Sequence, residues 1–289
     1  MKYYLFNFII ILTLGFFFVS CSKLQNNIPV TPKLDVHSIG FANPNSSNFH
    51  GNYIKDNNWN LKYCQNCHAA DFTGGTTGES CYTCHKEPGG PVACNTCHGD
   101  LKDPTRIAPP RTINGDTATT VMGVGAHTNH LYTNSLTNNV SCDNCHNVPS
   151  SVYTPGHLVT QQPAPVELKG LATANQASNA TFNPDNGTCS NTYCHGNFTF
   201  YKDSAASEDQ WAFTGDKIVG NNVTVTWNKV DGTQAACGTC HDLPPKGHVG
   251  YQQMSINECV VCHKGVVDAN GNIIDKDRHI NGKVNIRGN

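Results

Sequence analysis

The stretch GTCSNTYCHG, residues 187–196, decides how the rest of this chain is read. Four residues separate Cys189 from Cys194, and His195 follows directly. Six other places carry a tighter pattern, Cys-x-x-Cys-His. Either CSNTYCH is a seventh copy with two residues inserted, or it is a disulfide that imitates one.

The chain has 15 cysteines. With Cys21 set aside, the rest fall into close pairs: Cys64/Cys67, Cys81/Cys84, Cys94/Cys97, Cys142/Cys145, Cys189/Cys194, Cys237/Cys240 and Cys259/Cys262. Disulfides, zinc ribbons and covalent haem attachment all use such pairs. Haem attachment alone also demands a histidine after the second cysteine. Cysteines three apart on a helical turn share a face, so both reach the vinyl groups while the next histidine comes under the ring to ligate iron. His68, His85, His98, His146, His195, His241 and His263 fill that position in every pair. With 14 histidines in 289 residues, seven in seven by chance is on the order of one in a billion. The six regular motifs therefore read as haem c sites. At Cys189/Cys194 a simple helical turn cannot span the longer gap, and a disulfide is the competing reading. His195 and the echo of TCHG (96–99) in YCHG (193–196) favour a seventh haem.

CSNTYCHG, followed downstream by CGTCHDLPPKGHVG (237–250), resembles the CxxxxCH/CxxCH multihaem c-type cytochromes of metal-reducing bacteria. The likeness extends more loosely to FHG (49–51), GGTTGESCYTCH (74–85), GAHTNHLY (125–132) and HINGKV (279–284). Many members of that family are outer-membrane or surface lipoproteins that carry respiratory electrons out of the cell. The resemblance implies partners of matching kind: other cytochromes, an outer-membrane porin, or further copies of the chain in a filament.

A low-spin electron-transfer haem needs a second axial ligand. Beyond the motif histidines stand seven others: His37, His50, His127, His130, His157, His248 and His279. They are the distal candidates for seven bis-histidine haems, the competing reading being that some are plain surface residues. Methionine is scarce, with Met122 and Met254 beyond the initiator, which points to low potentials. CDNCHNVPSSVYTPGH (142–157) and CGTCHDLPPKGH (237–248) share a plan ending in Gly-His, so His157 and His248 are expected to play equivalent roles. A multihaem reductase needs an open iron position. Every motif here ends in histidine, so the chain reads as a conductor of electrons with no catalytic residues assigned.

Residues 1–20, MKYYLFNFIIILTLGFFFVS, form an export signal with Lys2 ahead of an apolar run. Cys21 behind it matches a lipobox cysteine, with Phe18 where leucine is usual; simple cleavage or an anchor helix are the alternatives. Residues 21–35 then form a tether, and membrane attachment is through the lipid. The resemblance to bacterial lipoproteins implies that Ser22, where aspartate is absent, favours passage to the outer membrane, on its periplasmic or cell-surface face. The formal charge of −2 gives no case for nucleic-acid binding.

The remaining chain is poor in apolar side chains and gives about 38 residues per motif, too few for separate haem domains. The expected fold is a multihaem cytochrome c with little regular secondary structure. Short helical turns are expected mainly at the motifs, with a few short β-strands or hairpins and a haem-filled core. PVELKGLA (165–172) and NNVTVTWNKV (221–230) are the strand candidates, and VVDANGNII (266–274) reads as a hairpin about Asn-Gly. Residues 36–160 would carry haems I–IV and 161–289 haems V–VII, in one elongated unit or two lobes.

Overall fold

The computed structural model describes residues 36–286 apart from 101, 102, 104, 108–110, 133, 134 and 159–163. The export signal, Cys21 and the tether lie outside the described residues. The chain divides into two compact units, one ending at Asp56 and the other beginning at Asn57.

In the first unit, helix α1 (His50–Asp56) follows a series of turns. Phe41 is its centre. The His37 ring stacks on Phe41 at 4.1 Å and 4°, and Tyr53 meets it edge-on at 5.8 Å. His50 donates both its backbone N–H (2.7 Å) and, through Nδ1, its ring (3.0 Å) to the Phe41 carbonyl.

The second unit contains α2 (Lys62–His68), α3 (Cys94–His98), α4 (His127–Leu131) and α5 (Cys259–Cys262), none longer than seven residues. Strands β1 (Thr181–Asn183), β2 (Thr188–Ser190) and β5 (Val225–Thr226) form an antiparallel sheet with β2 in the middle. A separate ribbon pairs β3 (Thr199–Tyr201) with β4 (Lys217–Val219). Regular structure is thus sparse, as the sequence implies. Among the described residues, no helix is long and apolar enough to cross a membrane.

Three local expectations need correction. PVELKGLA is not a strand. Its extended part is fastened instead to the motif turn at 142–146, with the backbone N–H of Glu167 and Lys169 on the carbonyls of Cys145 (2.8 Å) and Asn144 (2.9 Å). The alternating residues of NNVTVTWNKV yield two paired positions, Val225 and Thr226, before the chain leaves the sheet at Trp227. Helical turns also do not sit mainly at the motifs: α1 and α4 each begin at a spare histidine, and 3-10 turns occur at many other places. The Asn-Gly hairpin holds, with Val267 bridged to Ile273 and Gly271 N–H on Asp268 O at 3.0 Å.

The apolar interior is thin. Among the described residues, the buried hydrophobics are Leu61, Phe72, Val124, Ala172, Ala177, Tyr193, Ala212, Ile218, Val225 and Val266, three of them alanines. Ten such residues cannot offset the ordering entropy of a unit this long.

Candidate functional site

Short turns set most of the motifs. Cys64–His68 closes α2, Cys94–His98 is all of α3, and Cys259–Cys262 is α5. Cys81–Thr83 and Cys142–Asn144 are 3-10 turns. In three motifs the histidine N–H reaches back to the first cysteine's carbonyl at 2.9 Å: His85 to Cys81, His146 to Cys142 and His263 to Cys259. That bond brings both sulfurs and the imidazole onto one turn. Cys237–His241 uses an irregular turn, anchored by Thr239 N–H on Ala236 O at 3.0 Å.

In five motifs the two cysteines differ in exposure. Cys67, Cys84, Cys94, Cys142 and Cys237 are exposed. Their partners Cys64, Cys81, Cys97, Cys145 and Cys240 are half-buried. At Cys189/Cys194 and Cys259/Cys262 both cysteines are half-buried.

The CxxxxCH motif is built differently. Cys189 lies on the central strand β2, opposite Phe182 on one side and Val225 on the other. Cys194 lies in the 3-10 turn Tyr193–His195. The two extra residues form the corner between strand and turn. Asn191 takes the left-handed conformation there (φ 57), and its carbonyl and side-chain oxygens accept from Asn197 (2.7 Å) and Asn222 (3.0 Å). Asparagine tolerates that conformation better than most residues. None of the fourteen described cysteines is in a disulfide, and no three potential metal ligands gather among the described residues as a zinc site would require.

The histidines are brought together in a regular way. Among the described residues, five motif histidines each face one spare histidine. Ring centroids are 6.0 Å apart for His98 and His157, 6.3 Å for His146 and His127, and 6.2 Å for His195 and His130. They are 6.5 Å apart for His241 and His279, and 6.3 Å for His263 and His248. A ring nitrogen sits about 2.0 Å from a first-row metal and about 1.1 Å from its own centroid, so imidazoles on opposite sides of one ion stand about 6.2 Å apart. Neighbouring positions on one ion would bring them to about 4.4 Å. The five spacings match the first arrangement and exclude the second.

The ring orientations agree. Nδ1 of His127, His130, His146, His157, His241, His248, His263 and His279 each lies 2.6–3.1 Å from a backbone carbonyl. His68 does the same with the Glu79 carbonyl at 2.9 Å. A donating Nδ1–H fixes the tautomer and leaves Nε2 as the ligating atom. His195 departs from the pattern: its Nδ1 is buried and has no partner among the described residues.

Burial also keeps these rings neutral. It depresses His127 and His195 from 6.5 to about 4, and it lowers His98, His130, His248 and His279. Each of the five pairs contains at least one ring so held, and the neutral imidazole is the form that binds metal. Burial likewise raises the Cys189 thiol to about 11 and the Cys194 thiol to about 12.

The two Gly-His loops share a local shape but not a direction. Gly156 and Gly247 have φ of +85° and +86°. Each following histidine donates its N–H three residues back, to Thr154 (3.0 Å) and Pro245 (3.1 Å). His157 faces His98, in the motif before the one that opens its loop, and His248 faces His263, in the motif after its loop, so each spare histidine pairs with a motif histidine other than its neighbour in sequence. Sequence reading also passed over Trp227, whose ring lies between His127 and His130 (4.7 and 5.4 Å). No spacing rule points to a tryptophan thirty-two residues after the motif it serves.

No curated protein and no solved structure matches the chain. Residues 188–241 match the family described as the Geobacter CxxxxCH...CXXCH motif. The match runs from β2 through Cys189, Cys194 and His195 to the end of the Cys237–His241 motif. Over that segment the chain carries the haem c-binding signature of the CxxxxCH/CxxCH multihaem c-type cytochromes.

Proposed function

We propose that this chain is an exported heptahaem cytochrome c that conducts electrons through closely spaced bis-histidine haems in respiratory or extracellular electron transfer. The observation that carries the reading is the set of five histidine pairs 6.0–6.5 Å apart, each joining one motif histidine to one spare histidine.

A bound haem supplies a one-electron iron couple. The chain's part is to attach, ligate and shield it. The fourteen paired cysteines anchor the seven macrocycles, and the motif histidines are the proximal ligands. His157, His127, His130, His279 and His248 would supply the second ligand to the haems of His98, His146, His195, His241 and His263, with His37 and His50 the remaining distal candidates. Two imidazoles per iron favour the oxidised state more than a thioether would, giving low potentials. Macrocycles would fill the interior that the few buried apolar residues leave thin. Five motifs, those of Cys67 and Cys84 among them, have one sulfur exposed, and a haem held there would be a candidate point for electrons to enter or leave.

The order of sites along the path follows from shared elements. His127 and His130, three residues apart on α4, serve the fourth and fifth motifs and so hold those haems side by side. His98 is electrostatically coupled to His146 as well as to its own partner His157, which supports a third site neighbouring the fourth. His279 is likewise coupled to both His241 and His263, which supports neighbouring sixth and seventh sites.

Export, lipidation at Cys21, an outer-membrane location and a cytochrome or porin partner complete the proposal. Ferric electron paramagnetic resonance (EPR) of the matured protein tests the conducting role. Low-spin signals alone are expected; a stoichiometric high-spin haem would instead indicate an open iron and a reductase.

A further inference from the structure

Helix α4 offers two imidazoles, His127 and His130, to two different motifs, so something must hold both rings at once. Trp227 is in that place. Its indole meets His127 edge-on, at 4.7 Å and 88°, and lies over His130 at 5.4 Å and 30°. The indole is itself fixed from three sides. Nε1–H donates to the Met122 carbonyl at 2.9 Å, in the turn that leads into α4. The backbone N–H of Trp227 donates to Gly187 O at 2.7 Å, at the start of the CxxxxCH stretch. Gly125 closes the third side: a Cβ there would stand 1.9 Å from Nε1, so no other residue lets the ring come so near. The following residue adds a further tie, with Asn228 Nδ2 donating to Thr120 O at 2.9 Å.

We propose that Trp227 is a positioning residue shared by the fourth and fifth haem sites, setting the ring angles of His127 and His130 together and keeping water from both. The proposal rests on the bis-histidine reading above. An edge-on contact and a near-parallel contact each favour one ring orientation over others, beyond burial. Each distal ring is otherwise oriented by its hydrogen bond to the Val124 or Ala126 carbonyl (2.8 and 2.9 Å), on the same short turn. Trp227 comes from a distant part of the chain. It ties that turn to the sheet bearing Cys189, so the two haem sites move as one body.

The test compares Trp227→Ala and Trp227→Phe with the native protein, using intact mass and low-temperature ferric EPR. Trp227→Ala is expected to retain seven haem additions while two low-spin signals shift, one from a small-angle pair and one from a near-perpendicular pair. Water reaching those sites stabilises the ferric state and lowers both potentials by about 59 mV, tenfold in each one-electron equilibrium. Trp227→Phe keeps a ring and is expected to move the same two signals less. Seven haems with no signal shifted overturn the proposal, as does an equal shift of every signal. Should Trp227→Ala fail to mature, Trp227→Phe decides by the same criterion. Native protein carrying fewer than seven haems would count against the heptahaem reading instead.

Discussion

His130 and His195 face each other with ring centroids 6.2 Å apart and planes inclined by 74°. One comes from a helix that also supplies His127, the other from the CxxxxCH turn. His241 and His279 are similarly crossed at 72°, whereas the other three pairs are inclined by 22°, 28° and 37°.

These angles predict two classes of EPR signal. Parallel imidazoles donate into the same iron orbital and split it from its partner, giving a rhombic spectrum. Crossed imidazoles leave the two nearly degenerate, giving a single large g value. At least two haems are therefore expected in the large-g class and at least three in the rhombic class. A spectrum of one class alone would contradict the pairings.

The fifth site is expected to have the highest potential. A hydrogen bond from Nδ1–H to an acceptor makes the ligand more basic and favours ferric iron. His195 has no such acceptor among the described residues, and its Nδ1 is buried, which further favours the less charged ferrous state. His130→Met identifies the component belonging to this site by moving it upward, by about 59 mV or more for a tenfold change. In a spectroelectrochemical titration, the component that moves should already be the topmost. Movement of a component from lower in the series would refute the assignment.

Acid should loosen the histidine-lined interior. His127 and His195 fall from 6.5 to about 4 in the folded chain, so the unfolded chain binds more protons between those values. Stability is therefore full above about 6.5 and declines as pH falls toward 4. Iron on a ring nitrogen would compete with the proton and move the window lower, so conversion from low-spin to high-spin absorbance is expected only as pH falls below about 4, and conversion complete above that value would contradict it.

Val124 has the largest fully buried side chain among the described residues, and its carbonyl holds the His127 ring at 2.8 Å. Val124→Ala is expected to cost about 2 kcal/mol. The loss should appear in denaturant melts, with the haem count unchanged.

What could be read from the sequence follows from how chemistry is written in it. Haem attachment is local, so five residues such as Cys94–His98 declare it without any knowledge of the fold. The Asn-Gly turn near Gly271 is local in the same way. Which sulfur of a motif faces outward is not local: Cys67 and Cys84 are second in their pairs and Cys94 is first, yet all three are exposed. Distal pairing is not local either: His279 faces His241 because a long return of the chain brings them together, and no periodicity records that. Strand alternation misled at PVELKGLA, where the backbone groups that might have formed a sheet bond to a motif turn. In the CxxxxCH stretch, the two extra residues turn out to be a corner at Asn191, which joins a strand cysteine to a turn cysteine.

The central claim is that Cys189, Cys194 and His195 form a seventh haem site alongside the six regular ones. Intact mass of the chain matured in a host competent for cytochrome c assembly tests it most directly. Seven haem additions are predicted for the native protein, and six for Cys189→Ser/Cys194→Ser. Six additions in the native protein, with Cys189 and Cys194 found in a disulfide by peptide mapping, would contradict it.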